Sequence, residues 1–212
     1  MTLYAGYRSS RFNFDPRRKT IWSAVAAYLQ RYIPEDGAVL DLGSGYCDFI
    51  NAVHARRRWA LDLYLNPAEF AAEGVKPLQA DVTNLEAISD SSLDAVFASN
   101  ILEHLPDEKL IWAVGAVKDK LRPGGRFIAL QPNYTYCYRH YFDDYTHCRV
   151  FSHVSLADFL KAQGFTIERI IPRFLPFSFK SRAPKWGWLA RLYLRSPWKP
   201  WAKQMLVIAL KP

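Results

Sequence analysis

The chain has 212 residues, half of them apolar, which suits one domain with a sizeable core. Its net charge of +8 suggests a nucleic-acid partner, but nine of the 28 basic residues lie from Arg173 onward, where no acidic residue occurs, and the rest of the chain is nearly neutral. The three cysteines match no zinc-ribbon spacing, and no apolar run is long enough to span a bilayer. These features favour a cytoplasmic protein over an exported or inserted one.

The first predicted elements are a helix and a strand. Apolar residues recur at helical spacing over residues 18–32, and the pattern stops before Gly37. A short apolar run at 38–42 then predicts the first strand. Residues 1–17 show no periodicity, and we interpret them as an N-terminal flap.

The rest of the chain alternates between strand and helix patterns. Helices are predicted from about residues 50, 66, 107 and 155, the last of them capped by Ser155 and ending at Gly164. Strict alternation favours an α/β fold with a parallel sheet, right-handed crossovers and helices on both faces. The further predicted strands cover residues 59–63, 75–80, 93–98, 126–130, 165–171 and 205–210.

The turn after the first strand is the most informative stretch for function. The strand ends in an acidic residue, and two glycines one position apart follow it: Asp41, Gly43, Ser44 and Gly45. Such glycines let the backbone turn sharply and approach a ligand closely. A dinucleotide fingerprint would place a third glycine at position 48, where this chain has Asp48. The pattern therefore disfavours an NAD-type oxidoreductase.

Polar residues also stand at the ends of the next three strands. In chain order they are Asp62 with Leu63, Asp81 with Val82, and Ser99 with Asn100. A lone acid at a strand end is usually a helix cap or a solvated side chain. Because the carboxyl ends of parallel strands meet at one edge of a sheet, however, the repeated pattern favours one ligand site built from all of them.

These motifs, in this order, resemble those of the class I S-adenosylmethionine-dependent methyltransferases. The resemblance covers about residues 18–171 and the final strand. The first motif of that family is an acid followed by Gly-x-Gly-x-Gly, and here Cys47 replaces the third glycine. The resemblance implies a single methyltransferase domain over 1–212. It further implies a Rossmann-like, doubly wound sheet of seven strands, mostly parallel, with the last strand antiparallel.

The same resemblance implies S-adenosylmethionine as cofactor and gives the motifs their roles. Asp62 is expected at the ribose hydroxyls, and Asp81 with Val82 at the adenine. Ser99 and Asn100 begin a segment, continuing through Glu103 and His104, that is expected to border the methionine part and the acceptor.

Methyl transfer to a hydroxyl group requires a base that removes its proton. His153 and Asp144 also come into consideration, but we predict these catalytic residues: His104, His140, Asp143 and His147. The reaction requires no metal, and neighbouring carboxylates in a loop are common, so the sequence predicts no metal site.

Residues 172–204 are interpreted as a basic, aromatic insertion before the last strand. It contains four tryptophans among its basic residues: Trp186, Trp188, Trp198 and Trp201. This composition is typical of a segment at an anionic membrane surface. A nucleic acid, a pyrophosphate-linked lipid, or a cap packed on the core stay open as alternatives.

The chain also resembles, more loosely, the bacterial methyltransferases of surface polysaccharide and glycolipid synthesis. This resemblance rests on residues 131–134, 141–143 with His147, 152–153 and 173–176. It implies a sugar or lipid-linked glycan hydroxyl as acceptor. Together with the composition and the basic insertion, it leads us to predict O-methylation of a small-molecule, sugar or lipid-linked glycan acceptor by a cytoplasmic enzyme that is peripheral to the inner face of the membrane. One alternative is an RNA or other nucleic-acid methyltransferase, which is disfavoured because residues 99–102 are not of the Asn-Pro-Pro-Tyr type. The other is a non-catalytic, cofactor-binding adaptor at a membrane surface.

Overall fold

The computed structural model describes residues 15–176 and 186–212. Most of the predicted N-terminal flap and the middle of the predicted insertion therefore lie outside the described residues. Among the helices within these two ranges, none is both long enough and apolar enough to cross a membrane.

The described residues form one seven-stranded sheet in the order β3-β2-β1-β4-β5-β7-β6. Strands β1 to β5 pair in parallel, and β7 pairs antiparallel with both β5 and β6. This confirms the predicted Rossmann-like α/β fold. The strands are β1 Ala38–Leu42, β2 Arg57–Asp62, β3 Val75–Gln79, β4 Leu93–Ser99, β5 Leu121–Pro132, β6 Thr166–Pro176 and β7 Ala202–Leu210.

Helices cover both faces of the sheet. In the described part of the chain they are α1 Arg18–Leu29, α2 Asp107–Lys120, α3 Tyr134–Cys137, α4 His153–Ala162 and α5 Gly187–Arg195. Helix α2 packs Val114 and α4 packs Leu160 into the core of one face, and α1 packs Leu29 and α5 packs Leu194 into that of the other. Because both faces are covered, the central strands are almost entirely apolar.

The helices predicted after β1 and β2 are wrong. Residues 47–53 form irregular helical turns, and only a single 3-10 turn, Pro67–Glu69, follows β2. The side chain of Asn51 explains part of this: its Nδ2 donates to Phe70 O at 2.8 Å and its Oδ1 accepts from Ala72 N at 2.8 Å. These bonds tie the two connections together and compete with a regular helix.

The predicted cap of helix α4 is also displaced. Ser152 rather than Ser155 is the N-cap: its Oγ accepts from Ser155 N at 3.1 Å, while Ser155 Oγ accepts from Ser152 N at 2.9 Å. The two serines thus form a reciprocal capping box, in which Ser155 takes the place usually held by Glu or Gln. Gly164 ends the helix as predicted, with φ +82°.

Candidate active site

The turn between β1 and the next segment has a backbone that glycine adopts without strain. Gly43 has φ +77° and Gly45 has φ +53°. A Cβ atom at position 43 would lie 3.2 Å from the side chain of Ile101. The N–H groups of Gly43 and Ser44 both donate to Leu61 O, at 2.8 and 2.9 Å, and hold the turn against β2. Position 43 therefore lacks both the conformation and the room that a side chain needs.

Asp62, at the end of β2, fixes this turn from the other side. Its Oδ2 accepts from Gly45 N at 3.0 Å, and its Oδ1 accepts from Tyr64 N and Leu65 N at 2.9 Å each. The neighbouring Leu63 is exposed. One carboxylate thus sets the position of the two loops that follow β1 and β2.

Asp41 and Asp48 place two more carboxyl groups near Asp62. Asp41 is buried, and its pKa is raised well above the usual value by burial and then by the charge of Asp62. Burial also raises the pKa of Asp48, although Arg18 Nε lies 3.1 Å from Asp48 Oδ2 and opposes the shift. Three carboxyl groups are therefore close together near the carboxyl end of β1, with Arg18 beside one of them.

Asp81, after β3, is held by a residue that the sequence pattern does not predict. Lys109 Nζ on α2 lies 2.5 Å from Asp81 Oδ2, while Asp81 Oδ1 accepts from Thr83 N at 3.0 Å and from Thr83 Oγ1 at 2.9 Å. Burial raises the pKa of Asp81, but these bonds outweigh it and bring the pKa below the usual value. Val82 beside it is buried.

Asn100, after β4, lies in the left-handed region with φ +50°. Its Nδ2 donates to Ser99 Oγ at 3.0 Å, and its Oδ1 accepts from Gln204 Nε2 at 3.2 Å. Gln204 belongs to β7, so a residue more than one hundred positions away completes this part of the site. No local signal in the sequence predicts Gln204.

His104 and His147 lie together beyond β4, with ring centroids 4.8 Å apart. His147 Nδ1 is 2.7 Å from Tyr141 O, and because a carbonyl only accepts, Nδ1 carries the proton. His104 Nδ1 is 2.9 Å from Thr146 Oγ1, whose own proton goes to Asp144 Oδ1 at 2.6 Å. The threonine hydroxyl therefore accepts from His104 Nδ1. Both imidazoles are oriented in the same way, with Nδ1 as the donor.

Glu103 joins this pair from the same 3-10 turn as His104. Its side chain is 1% exposed, and Oε1 lies 4.0 Å from His104 Nε2. Neither carboxyl oxygen has a hydrogen-bond partner among the described residues. Burial raises the pKa of Glu103 to about 8, while burial and then the charge of His147 lower the pKa of His104 to about 4. His104 is therefore neutral at pH 7.

The structure divides the four predicted catalytic residues. It brings His104 and His147 together and adds Glu103 and Thr146, whose long-range contacts the sequence does not reveal. His140 and Asp143 instead bond to each other at 3.1 Å with more than half of each side chain exposed. His153, also considered as a base, contacts Asn133 Nδ2 through its Nδ1 at 3.1 Å.

A family model described as a methyltransferase domain matches residues 14–170. The chain belongs to this methyltransferase family. The cofactor of the methyltransferase is S-adenosylmethionine. No curated protein sequence matches the chain.

Solved structures similar to the methyltransferase share its fold. A Haloferax volcanii methyltransferase in complex with the Trm112 activator has a TM-score of 0.72 at 16% identity, covering 100% of this chain and 99% of that one. An Archaeoglobus fulgidus SAM-dependent methyltransferase has 0.66 at 22% identity, with 100% of both chains covered. The Burkholderia thailandensis 1,6-didemethyltoxoflavin N1-methyltransferase, solved with its substrate and S-adenosylhomocysteine, has 0.61 at 19% identity, covering 98% and 84%.

Proposed function

We propose that the methyltransferase methylates a hydroxyl group of a small-molecule, sugar or lipid-linked glycan acceptor at the cluster of Glu103, His104 and His147. The observation that most supports this proposal is that the imidazoles of His104 and His147, each held through its Nδ1, lie beside the buried carboxyl group of Glu103. A hydroxyl must lose its proton as it is methylated, whereas a neutral amine attacks without a base. A site that devotes three ionisable groups to one place therefore suits a hydroxyl acceptor.

The strand ends fit S-adenosylmethionine, which supplies an electrophilic methyl group on a sulfonium when bound. The turn at Gly43 is a cradle that a Cβ would close against Ile101. We assign the ribose hydroxyls to Asp62, whose oxygens keep lone pairs beyond their present bonds. The remaining assignments are the adenine to Asp81, Val82 and Leu63, and the methionine part to Asp41, Gly43, Ser44, Gly45, Ser99 and Asn100.

Exposed aromatic rings support a position at an anionic membrane surface. Trp188, Trp198 and Trp201 are 62%, 76% and 80% exposed, and Trp186 is 56% exposed. In the sequence they lie among the basic residues of the predicted insertion, and in the structure Leu194 of α5 packs in the core. Rings at headgroup depth with basic residues beside them suit anionic lipid. Such a location would bring the enzyme to a lipid-linked acceptor.

Acceptor labelling tests the proposed reaction. The protein is incubated with S-adenosylmethionine labelled in its methyl group and, separately, with a lipid-linked glycan extract, free sugars, amines and total RNA. Methyl ethers in the lipid or sugar fraction, identified by mass spectrometry, are the expected result. Label only in amines or in nuclease-sensitive RNA would overturn the proposal, and cofactor binding without any labelling would favour the adaptor alternative.

Flotation with phosphatidylglycerol vesicles tests the membrane surface. Trp198→Ala/Trp201→Ala is expected to reduce the floated fraction several-fold. Trp112→Ala is the matched control, since Trp112 is 66% exposed on α2, outside the insertion. Equal flotation of the double variant and the wild type, or no flotation of either, would refute the membrane contact.

A further inference from the structure

We infer that Glu103, His104 and His147 bind a divalent first-row transition-metal cation. One ligand atom from each residue lies within 4.8 Å of the other two. The donor set, two imidazoles and one carboxylate, is one that proteins use for Zn²⁺, Fe²⁺ and related cations, with coordination positions left open. The sequence, by contrast, predicts no metal site, because His147 lies more than forty positions from Glu103 and His104 and the sequence does not show that they meet.

The separations suit a cation after a small contraction. Three points no more than 4.8 Å apart lie within about 2.8 Å of a common centre. Bonds from imidazole nitrogen or carboxylate oxygen to such cations are about 2.0 to 2.2 Å long. Each side chain therefore needs to move inward by less than about 1 Å, which side-chain rotation provides.

The orientation of the imidazoles is that of metal ligands. A histidine that binds a metal through one nitrogen commonly donates its other N–H to a carbonyl, a carboxylate or a hydrogen-bonded group. His147 donates from Nδ1 to Tyr141 O, and His104 donates from Nδ1 to Thr146 Oγ1, which is itself tied to Asp144. In each of the two imidazole rings, the nitrogen lone pair that can bind a metal is therefore on Nε2. For His104 this nitrogen is the one that lies 4.0 Å from Glu103 Oε1.

The buried carboxyl group of Glu103 also indicates a ligand, independently of the distances and of the histidine orientations. A carboxyl group that is 1% exposed and has no hydrogen-bond partner on either oxygen is costly to bury. The 4.0 Å between Oε1 and His104 Nε2 is too long for a hydrogen bond, so a direct bond between these atoms does not satisfy it. A cation between the carboxylate and the imidazoles satisfies it.

The inference deepens the proposed function and rests on it only for the acceptor. A cation lowers the pKa of an oxygen ligand that coordinates it. An acceptor hydroxyl at an open coordination position would therefore lose its proton to solvent water more readily, and its oxygen would take the methyl group as the carbon–sulfur bond breaks and S-adenosylhomocysteine leaves. His104 and His147 then act as metal ligands rather than as bases, in keeping with their hydrogen bonds.

Cobalt titration tests the site. Protein without a polyhistidine tag is stripped with a chelator and titrated with CoCl₂, and the visible d–d absorption and the heat of binding are followed. One equivalent is expected to bind to the wild type and to the control His54→Asn, an exposed histidine outside the cluster. Glu103→Gln and His147→Asn are expected to bind at least tenfold more weakly. S-adenosylhomocysteine titration shows that each variant is folded.

The outcomes separate the two proposals. Absence of wild-type Co²⁺ binding, or equal binding by Glu103→Gln, overturns the cation site whatever the acceptor labelling shows. Co²⁺ binding that depends on Glu103 and His147 supports the site even where no hydroxyl acceptor is labelled. The wild-type titration gives a result even where both variants fail to fold.

Discussion

Gly43→Ala tests whether the glycine turn is fixed by its contact with Ile101 as well as by its backbone. The backbone alone, at φ +77°, costs an alanine about 1 kcal/mol. The new Cβ would also lie 3.2 Å from Ile101, closer than ordinary van der Waals contact, and pushing that side chain away adds about 1 kcal/mol. The expected loss of stability is about 2 kcal/mol, or about 6 °C in melting temperature for a chain of this size.

Gly124→Ala is the matched control because Gly124 has nearly the same φ, +74°, with nothing within 4 Å of an added Cβ. It is expected to lose only the backbone part, about 1 kcal/mol. Urea unfolding gives both losses, and titration with S-adenosylhomocysteine gives the affinity, which we expect to fall at least tenfold in Gly43→Ala alone. Equal stability and equal affinity of the two variants would refute the reasoning.

Three further changes test the strand ends. Asp62→Ala removes the acceptor of three backbone N–H groups and is expected to lower the free energy of unfolding in urea by about 2 to 3 kcal/mol. It is also expected to weaken S-adenosylhomocysteine binding severely. Unchanged affinity would contradict the assignment of Asp62 to the ribose. Arg18→Ala leaves the buried Asp48 without this ion pair and is expected to lower stability by about 2 kcal/mol, whereas Arg17→Ala, at an exposed pair, is expected to change little. Asp41→Asn is expected to gain stability relative to the wild type as pH rises from 5 to 8. Since the pKa of Asp41 is raised in the fold, the wild-type carboxyl contributes fully below its unfolded pKa and loses that contribution as pH rises toward the folded value; a constant difference between the two proteins would count against this burial effect.

The position of the residues proposed to bind the cofactor follows closely from local sequence patterns. Asp41 and Asp62 each close a short apolar run, and parallel pairing then brings these strand ends to one edge without any further information. The structure of the connections after β1 and β2 could not be predicted from local patterns in this way. Asn51 bonds to the backbone of the next connection, and this tertiary contact overrides the local preference for a helix.

Local patterns do not predict which residues form the proposed acceptor site. His140 and His147 stand in similar aromatic and acidic surroundings, and the sequence does not distinguish them. In the structure, the 3-10 turn Tyr138–Asp143 places His140 next to Asp143 at the surface, while the bonds from Cys148 N and Arg149 N to Glu103 O draw the following residues against the β4 turn. Which histidine enters the cluster is thus decided by pairing between distant loops.

The position of β7 between β5 and β6 affects the order in which the strands of the sheet can pair. Strand β6 precedes β7 in the chain, yet within the sheet it pairs with β7 and not with β5. Strands β1 to β5 can therefore associate during synthesis, whereas β6 has no sheet neighbour until β7 has been made. Gln204 reaches Asn100 only at that last step. A nascent chain would accordingly pair the ends of β1 to β4 before Asn100 gains its contact with Gln204, so that the closing strand completes this part of the proposed cofactor site.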